Sequence, residues 1–144
     1  MRRTIRSVLV LSWLTVDGCA HRPSGSSSDA TRTLAGVTWM WAGTVTPVEA
    51  FTPADPASYT LELGADGRAA VRADCNRGNC AYRLSGSELR FGPMAMTQAM
   101  CAPGSLDSRF AQQLAGAAHT FWRGDTLMID LAMDSGTMRF IRAR

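Results

Sequence analysis

The chain contains no lysine, and all 15 of its basic residues are arginine. No basic cluster follows the first few residues, so this choice reflects genome composition rather than a chemical task. Apolar runs are short. The one at the N-terminus is well under the roughly 20 residues that a helix needs to cross a bilayer, which excludes reading it as a membrane span. There are 4 cysteines, none in the paired Cys-x-x-Cys spacing of a structural zinc site. No internal repeat is present, which excludes solenoids and propellers. Catalytic sets are also missing. Ser105, Asp107 and His119 form a grouping that chance supplies in most chains of this size. A Cys101–His119 nucleophile would need a third, orienting group that the sequence does not point to. No catalytic residue, metal or cofactor is therefore assigned.

What is present fits one small exported domain. The length of 144 residues suits one domain, and 46% hydrophobic with 19% charged residues is an ordinary globular composition. Arg2, Arg3 and Arg6 form a positive start, and Ile5 and Val8-Leu9-Val10-Leu11-Ser12-Trp13-Leu14 form a short apolar stretch. Together they read as a cleavable signal peptide, residues 1–18. Val16-Asp17-Gly18-Cys19 is similar to a lipobox, in which the cysteine is acylated and becomes the new N-terminus. Asp17 departs from the small or apolar residue usual at its position.

Residues 19–33 are Ser-rich with Pro23 and Gly25, the composition of a flexible tether. Cys19 is thus the expected lipidation site and the expected lipid anchor in a membrane. Ala20 after it is consistent with sorting to the outer membrane, facing the periplasm. Removing residues 1–18 takes away Arg2, Arg3, Arg6 and Asp17 and leaves 12 basic against 11 acidic residues. The basic excess belongs mostly to the signal, so no nucleic-acid partner is expected.

The remaining domain, 34–144, reads as α+β and β-rich. Leu34 to Trp41 is dense in β-branched and aromatic residues and predicts a first strand. Pro47, Pro53 and Pro56 predict a loop. Tyr59-Thr60-Leu61-Glu62-Leu63 alternates as a half-buried strand, and Gly64-Ala65-Asp66-Gly67 is hairpin-turn chemistry. Arg68 to Ala73 returns, with Ala69 and Val71 on one face. Asp74 to Cys80 predicts a loop, because Asn and Gly tolerate left-handed backbone.

Ala81–Leu84 and Glu88–Phe91 are short strands, followed by an apolar, irregular Met94–Cys101. Ser105 predicts a helix N-cap, and Leu106, Phe110, Leu114 and Ala118 recur every fourth residue as an apolar helical face. Thr120–Trp122, Leu127–Leu131 and Met138–Ile141 predict three final strands. The sum is a curved antiparallel sheet or partly open barrel of about seven or eight strands with one helix late in the chain.

Cys75, Cys80 and Cys101 lie in this domain. In an oxidising compartment two of them pair; three pairings are open, and one thiol is left over. A zinc site from these cysteines with His119 has little support from the spacing. Asn76 and Arg77 have two readings. One is a loop that recognises an acidic or glycan partner. The other is a turn capped by Asn76, with Arg77 paired to a carboxylate of the domain itself. Trp39, Trp41 and Trp122 read as core and rim packing rather than a binding face. Met94, Met96 and Met100 read as soft filler rather than a copper thioether cluster.

One set of residues carries a family resemblance. Leu34-x-Gly36-x-x-Trp39, Tyr59-x-Leu61-x-Leu63 with Asp66-Gly67, Cys75-Asn76-Arg77, Leu89-x-Phe91, Met96-Thr97-x-x-Met100-Cys101 and the Leu127-x-Ile129/Met138-x-Phe140 ending resemble the META domain of HslJ-like heat-shock lipoproteins. The match runs in order over residues 34–144. It implies a Cys75–Cys101 disulfide, since both cysteines stand in its motifs, with Cys75–Cys80 as the rival pair. Cys80 is then the free thiol. It also implies that Asn76, Arg77, Gly78 and Thr97 form the family-motif loop.

The family pattern continues after Cys-Asn-Arg with a Phe or similar residue and a Ser/Gly-Gly-x-Tyr. Here Gly78-Asn79-Cys80-Ala81-Tyr82 inserts a third cysteine instead. The implied role is a non-enzymatic accessory in envelope stress or drug tolerance, with an envelope protein of unknown identity as partner. A small-molecule or metal-binding envelope protein and a thiol-dependent protein using its unpaired cysteine are the alternatives.

Overall fold

In a computed structural model that describes residues 33–144, the first long strand, β1 (Thr38–Val45), pairs antiparallel with the last, β10 (Thr137–Arg142). That pairing closes the sheet. Between them run β2 (Ala50–Phe51), β3 (Tyr59–Leu63), β4 (Arg68–Ala73), β5 (Asn76–Ser85), β6 (Glu88–Phe91) and β7 (Ala95–Met96). A helix, α1 (Asp107–Ala115), follows, then β8 (Ala117–Arg123) and β9 (Thr126–Leu131). Eight strands form the ring in the order β1, β3, β4, β5, β6, β8, β9, β10, all antiparallel; β2 adds to β1 and β7 to β5. The β-rich class and the single late helix match the sequence reading, and the barrel is closed rather than partly open. Closure removes the free edges that an open sheet would expose.

Strict alternation sets which faces turn inward. Tyr59, Leu61 and Leu63 on β3 face Ala69, Val71 and Ala73 on β4, and all six are buried. The turn between them uses Gly67 at φ 79°, where glycine carries no steric penalty, and Asp66 Oδ1 accepts from the Arg68 N–H at 3.0 Å. Small alanines on β4 leave room for Trp39 and Trp41, which lie with Leu89, Leu127, Ile129, Met138 and Phe140 in one continuous core. Side chains fill the interior of the ring, as expected for a barrel of this strand number.

The helix packs against the end of the ring where β3 begins and β4 ends. Phe110 and Leu114 are fully buried there. The Phe110 ring lies 5.1 Å from Trp41 and 5.6 Å from Tyr59, centroid to centroid. A polar relay ties helix to strand: Trp41 Nε1 donates to Thr44 Oγ1 (3.1 Å), and Thr44 Oγ1 donates to Gln113 Oε1 (2.8 Å). These bonds satisfy a buried hydroxyl that would otherwise be costly.

Several boundaries differ from the sequence reading. The first strand starts at Thr38, and the Leu34–Val37 approach is held separately, by an Ala35–Leu63 bridge and a Gly36 N–H bond to the Leu63 carbonyl (2.8 Å). The helix begins at Asp107, so Ser105 is not its N-cap; the Ser105 hydroxyl instead accepts the Asp107 N–H at 3.3 Å. It ends before Gly116, and Ala118 lies in β8, because Ala117 already pairs with Leu131. The spacing of four that linked Ala118 to the helix was coincidental: the chain leaves the helix at Gly116, whose N–H still bonds back to the Gln112 and Gln113 carbonyls. The segment Asp74–Cys80 is also no loop: β5 starts at Asn76, after a two-residue turn.

Candidate functional site

The family-motif residues converge where β5, β7 and the start of α1 meet. Asp74, at φ 58°, and Cys75 make the turn from β4 into β5. Cys75 is joined to Cys101 by a disulfide with an S–S distance of 1.99 Å, across a sequence separation of 26. Asn76 follows and is buried. Its Oδ1 accepts from the Ala99 N–H (2.8 Å) and from Thr97 Oγ1 (3.0 Å), and its Nδ2 donates to the Ala99 carbonyl (3.1 Å) and to Asp107 Oδ2 (3.0 Å). One amide group thereby ties the 97–101 loop and the first turn of α1 to the barrel. The acceptor at the helix start is an acid, where the helix dipole also favours negative charge.

The neighbours complete the arrangement. Thr97 receives the Arg77 N–H on its hydroxyl (3.0 Å) and gives its own N–H to the Arg77 carbonyl (2.9 Å). Gly78 pairs with Met96, and a side chain there would overlap the Met96 sulfur and the Ala95 carbonyl oxygen. Asn76, Arg77 and Gly78 are therefore strand residues, correcting the expected motif loop; pairing with β4 on one side and β7 on the other overrides their turn propensity. Gly78→Ala is expected to detach β7 and to lower the melting temperature, with faster amide exchange at Thr97 as the specific sign. Unchanged exchange at Thr97 would contradict this.

Beside this node lies an open depression of about 650 Å³, lined by the 96–102 loop and by Asn76, Asp107 and Ala111. Its most buried polar group, the Asn76 amide, is already committed to the bonds above. Arg77 is exposed and forms no ion pair among the described residues, which corrects the expected pairing with a carboxylate of the domain.

The other sequence candidates fall apart in space. Cys80 is a buried free thiol facing the core from β5. Burial pushes its thiol up from the ordinary value, against a smaller opposing pull from Arg68. Cys80 is expected to be unreactive at neutral pH in a folded sample and to react once the chain is unfolded; rapid labelling of Cys80 in the folded protein would contradict this. The thiolate is the reactive form, and both burial and the raised value suppress it.

With Cys75 and Cys101 bonded to each other and Cys80 inside, the three do not join His119, which is exposed on β8. Among the described residues no three His, Cys, Asp or Glu side chains cluster as a metal site would require. Trp39 and Trp41 are core residues, and Trp122 meets Trp39 edge-on at 5.5 Å. Met94 and Met96 pack against the core while Met100 is fully exposed, so they do not act as one cluster. The expected lipidation site, Cys19, lies outside the described residues.

Asn76's central role was marked in sequence only by its motif. Its partner Asp107 is 31 residues away, and nothing local links the two. Tyr59 reads in sequence only as a strand and motif residue, and nothing local shows its tie to the helix start. Its hydroxyl accepts the Leu106 N–H at 2.9 Å, and its ring packs on Trp41.

Similar proteins are found among solved structures and among family models. No curated protein matches the chain. The NMR structure of the protein from Burkholderia xenovorans is similar in fold, with a TM-score of 0.64 at 23% identity, over 92% of this chain and 99% of that one. A DUF4847 family protein from Bacteroides vulgatus ATCC 8482 is similar at a TM-score of 0.55 and 10% identity, over 75% of this chain and 93% of that one. The model of the META domain matches residues 32–144, which include the disulfide and the whole Asn76 node. The chain belongs to the META domain family.

Proposed function

We propose that this protein is an exported lipoprotein, anchored through Cys19, whose META domain serves as a non-enzymatic accessory in the bacterial envelope under stress. The observation that carries the reading is the Cys75–Cys101 disulfide at the centre of the family motif. Structural disulfides persist in oxidising compartments and are rare in the cytosol. The disulfide therefore supports the same setting as the N-terminal signal and lipobox.

Support for a non-enzymatic role comes from how the motif spends its polar groups. Asn76, Thr97, Ser105 and Asp107 bond to one another, to nearby backbone or to Tyr59, and none is held as a nucleophile with a base beside it. The filled interior weighs against a ligand inside the barrel, and the buried Cys80 weighs against thiol chemistry. Action through the outer surface, on an envelope protein partner, fits these features best.

The test is affinity purification with crosslinking from intact envelopes, with the tagged protein at near-native level and a Cys19→Ser version as the unanchored control. A specific partner recovered only with the anchored form is the expected result. Recovery of no partner from either form would overturn the accessory role and make a thermal-shift screen of small molecules and metals the next step.

A further inference from the structure

The end of the barrel opposite α1 is where the chain from the tether arrives, and its position is fixed. Trp39 Nε1 donates to the Leu34 carbonyl at 3.1 Å, and Ala35 and Gly36 are bound to the end of β3. An open depression of about 550 Å³ lies at this end, lined in part by Thr33, Leu34, Tyr82, Leu84, Phe121 and Trp122. Leu84 and Phe121 are each 38% exposed, on neighbouring parts of the rim. The Tyr82 hydroxyl is satisfied by the Gly64 carbonyl at 2.7 Å, which leaves its ring as apolar wall. Exposed Arg83 and Arg123 follow directly on Tyr82 and Trp122.

We propose that this rim rests on the phospholipid surface in which Cys19 is anchored, with Leu84, Phe121 and Trp122 at headgroup depth. The proposal rests on the lipid-anchored reading above. The length of chain outside the described residues favours it. Residues 20–32 are Ser-rich in sequence, and any flexible chain of that length has a root-mean-square span of about 20 Å. The linker joins the barrel at this rim, so the rim is the part of the domain held nearest the bilayer.

The side-chain chemistry suits that place. Trp and Tyr favour the membrane interface, where an apolar ring and a polar tip are both accommodated. Arg83 and Arg123 can lay their stems along the rim and reach phosphate. Asp66 and Asp125 stand in turns of the same end, so net charge contributes little and apolar insertion leads. Docking is therefore expected to survive high salt. The strands run on the order of 25 Å from this rim to the far end, where Val48 is 91% exposed, so the two ends are distinguishable by depth.

The test uses the full, acylated protein in phosphatidylethanolamine–phosphatidylglycerol vesicles whose acyl chains carry bromine. A bimane label is placed at Ser87→Cys on the rim or at Val48→Cys on the far end, and flotation is measured in parallel. The native cysteines do not compete, being acylated, disulfide-bonded or buried. The expected result is flotation with several-fold stronger quenching at position 87 than at 48, retained at high salt and lost with Leu84→Asp and Phe121→Asp together. Flotation with equal quenching at both positions, or none at 87, would overturn rim docking and leave the anchor standing. Failure to float would overturn the anchored reading and rim docking with it.

Discussion

Asn76→Ala is expected to destabilise the domain by about 2–4 kcal/mol, because a buried amide with two acceptor and two donor bonds is replaced by a methyl group. The loss falls on identifiable partners: the Ala99 N–H and carbonyl, the Thr97 hydroxyl and the Asp107 carboxylate. Asp107 is half-buried, so water recovers part of its share. Asn76→Asp separates geometry from charge. The shape is kept, but a second carboxylate then stands about where the amide nitrogen lay, 3.0 Å from Asp107 Oδ2. Two carboxylates that close favour binding a proton between them in the folded state. A group that binds protons more tightly when folded adds stability at low pH and loses it as pH rises. The Asp variant is therefore expected to recover much of its stability near pH 4 relative to pH 7, while the Ala variant does not. Denaturant melts at both pH values check this; parallel behaviour of the two variants would contradict the role given to Asp107.

Removal of the disulfide is the second large effect. Cys75→Ser with Cys101→Ser frees a loop spanning 26 residues, for which chain entropy gives a loss of about 3–4 kcal/mol. For a domain of this size that is a fall in melting temperature on the order of 15 °C. Reduction of the wild type should give a similar shift, since the third cysteine is buried and unable to replace either partner. The two effects are not independent. Asn76 follows Cys75 directly, and both hold the 97–101 loop against β5. A variant lacking both is expected to lose less than the sum, because once the loop is released by one change the other has less to hold. Strict additivity would mean that the bond and the amide support different parts of the fold.

The sequence showed the barrel's strands where burial alternates along a chain segment. Tyr59–Leu63, its Asp-Gly turn and Arg68–Ala73 emerge residue for residue, because one face is packed and the other is wet. It failed at β5, where Asn76, Arg77, Gly78 and Asn79 carry turn propensity and yet form strand. Two flanking pairings, the disulfide and a glycine that only β7 requires supply the reason, and all are tertiary. Closure of the ring was equally hidden. The Trp41–Phe140 pairing joins positions 99 residues apart, and no local pattern records it. At the site the motif residues were visible as a set, while their use was not. Turn capping or a recognition loop is what Asn76 suggests locally, and its actual partners are spread over two distant segments, the 97–101 loop and the start of α1.

On the reading proposed above, Cys19 becomes the acylated N-terminus of an exported protein, and the Cys75–Cys101 bond clamps its domain. Intact-mass and peptide mass spectrometry of the protein purified from envelopes, without reductant, tests it most directly. The expected result is a chain that begins at Cys19 with acyl groups attached, a Cys75–Cys101 linked peptide pair and an unmodified Cys80. A chain that retains residues 1–18 or begins elsewhere, with an unacylated Cys19 and reduced Cys75 and Cys101, would contradict it.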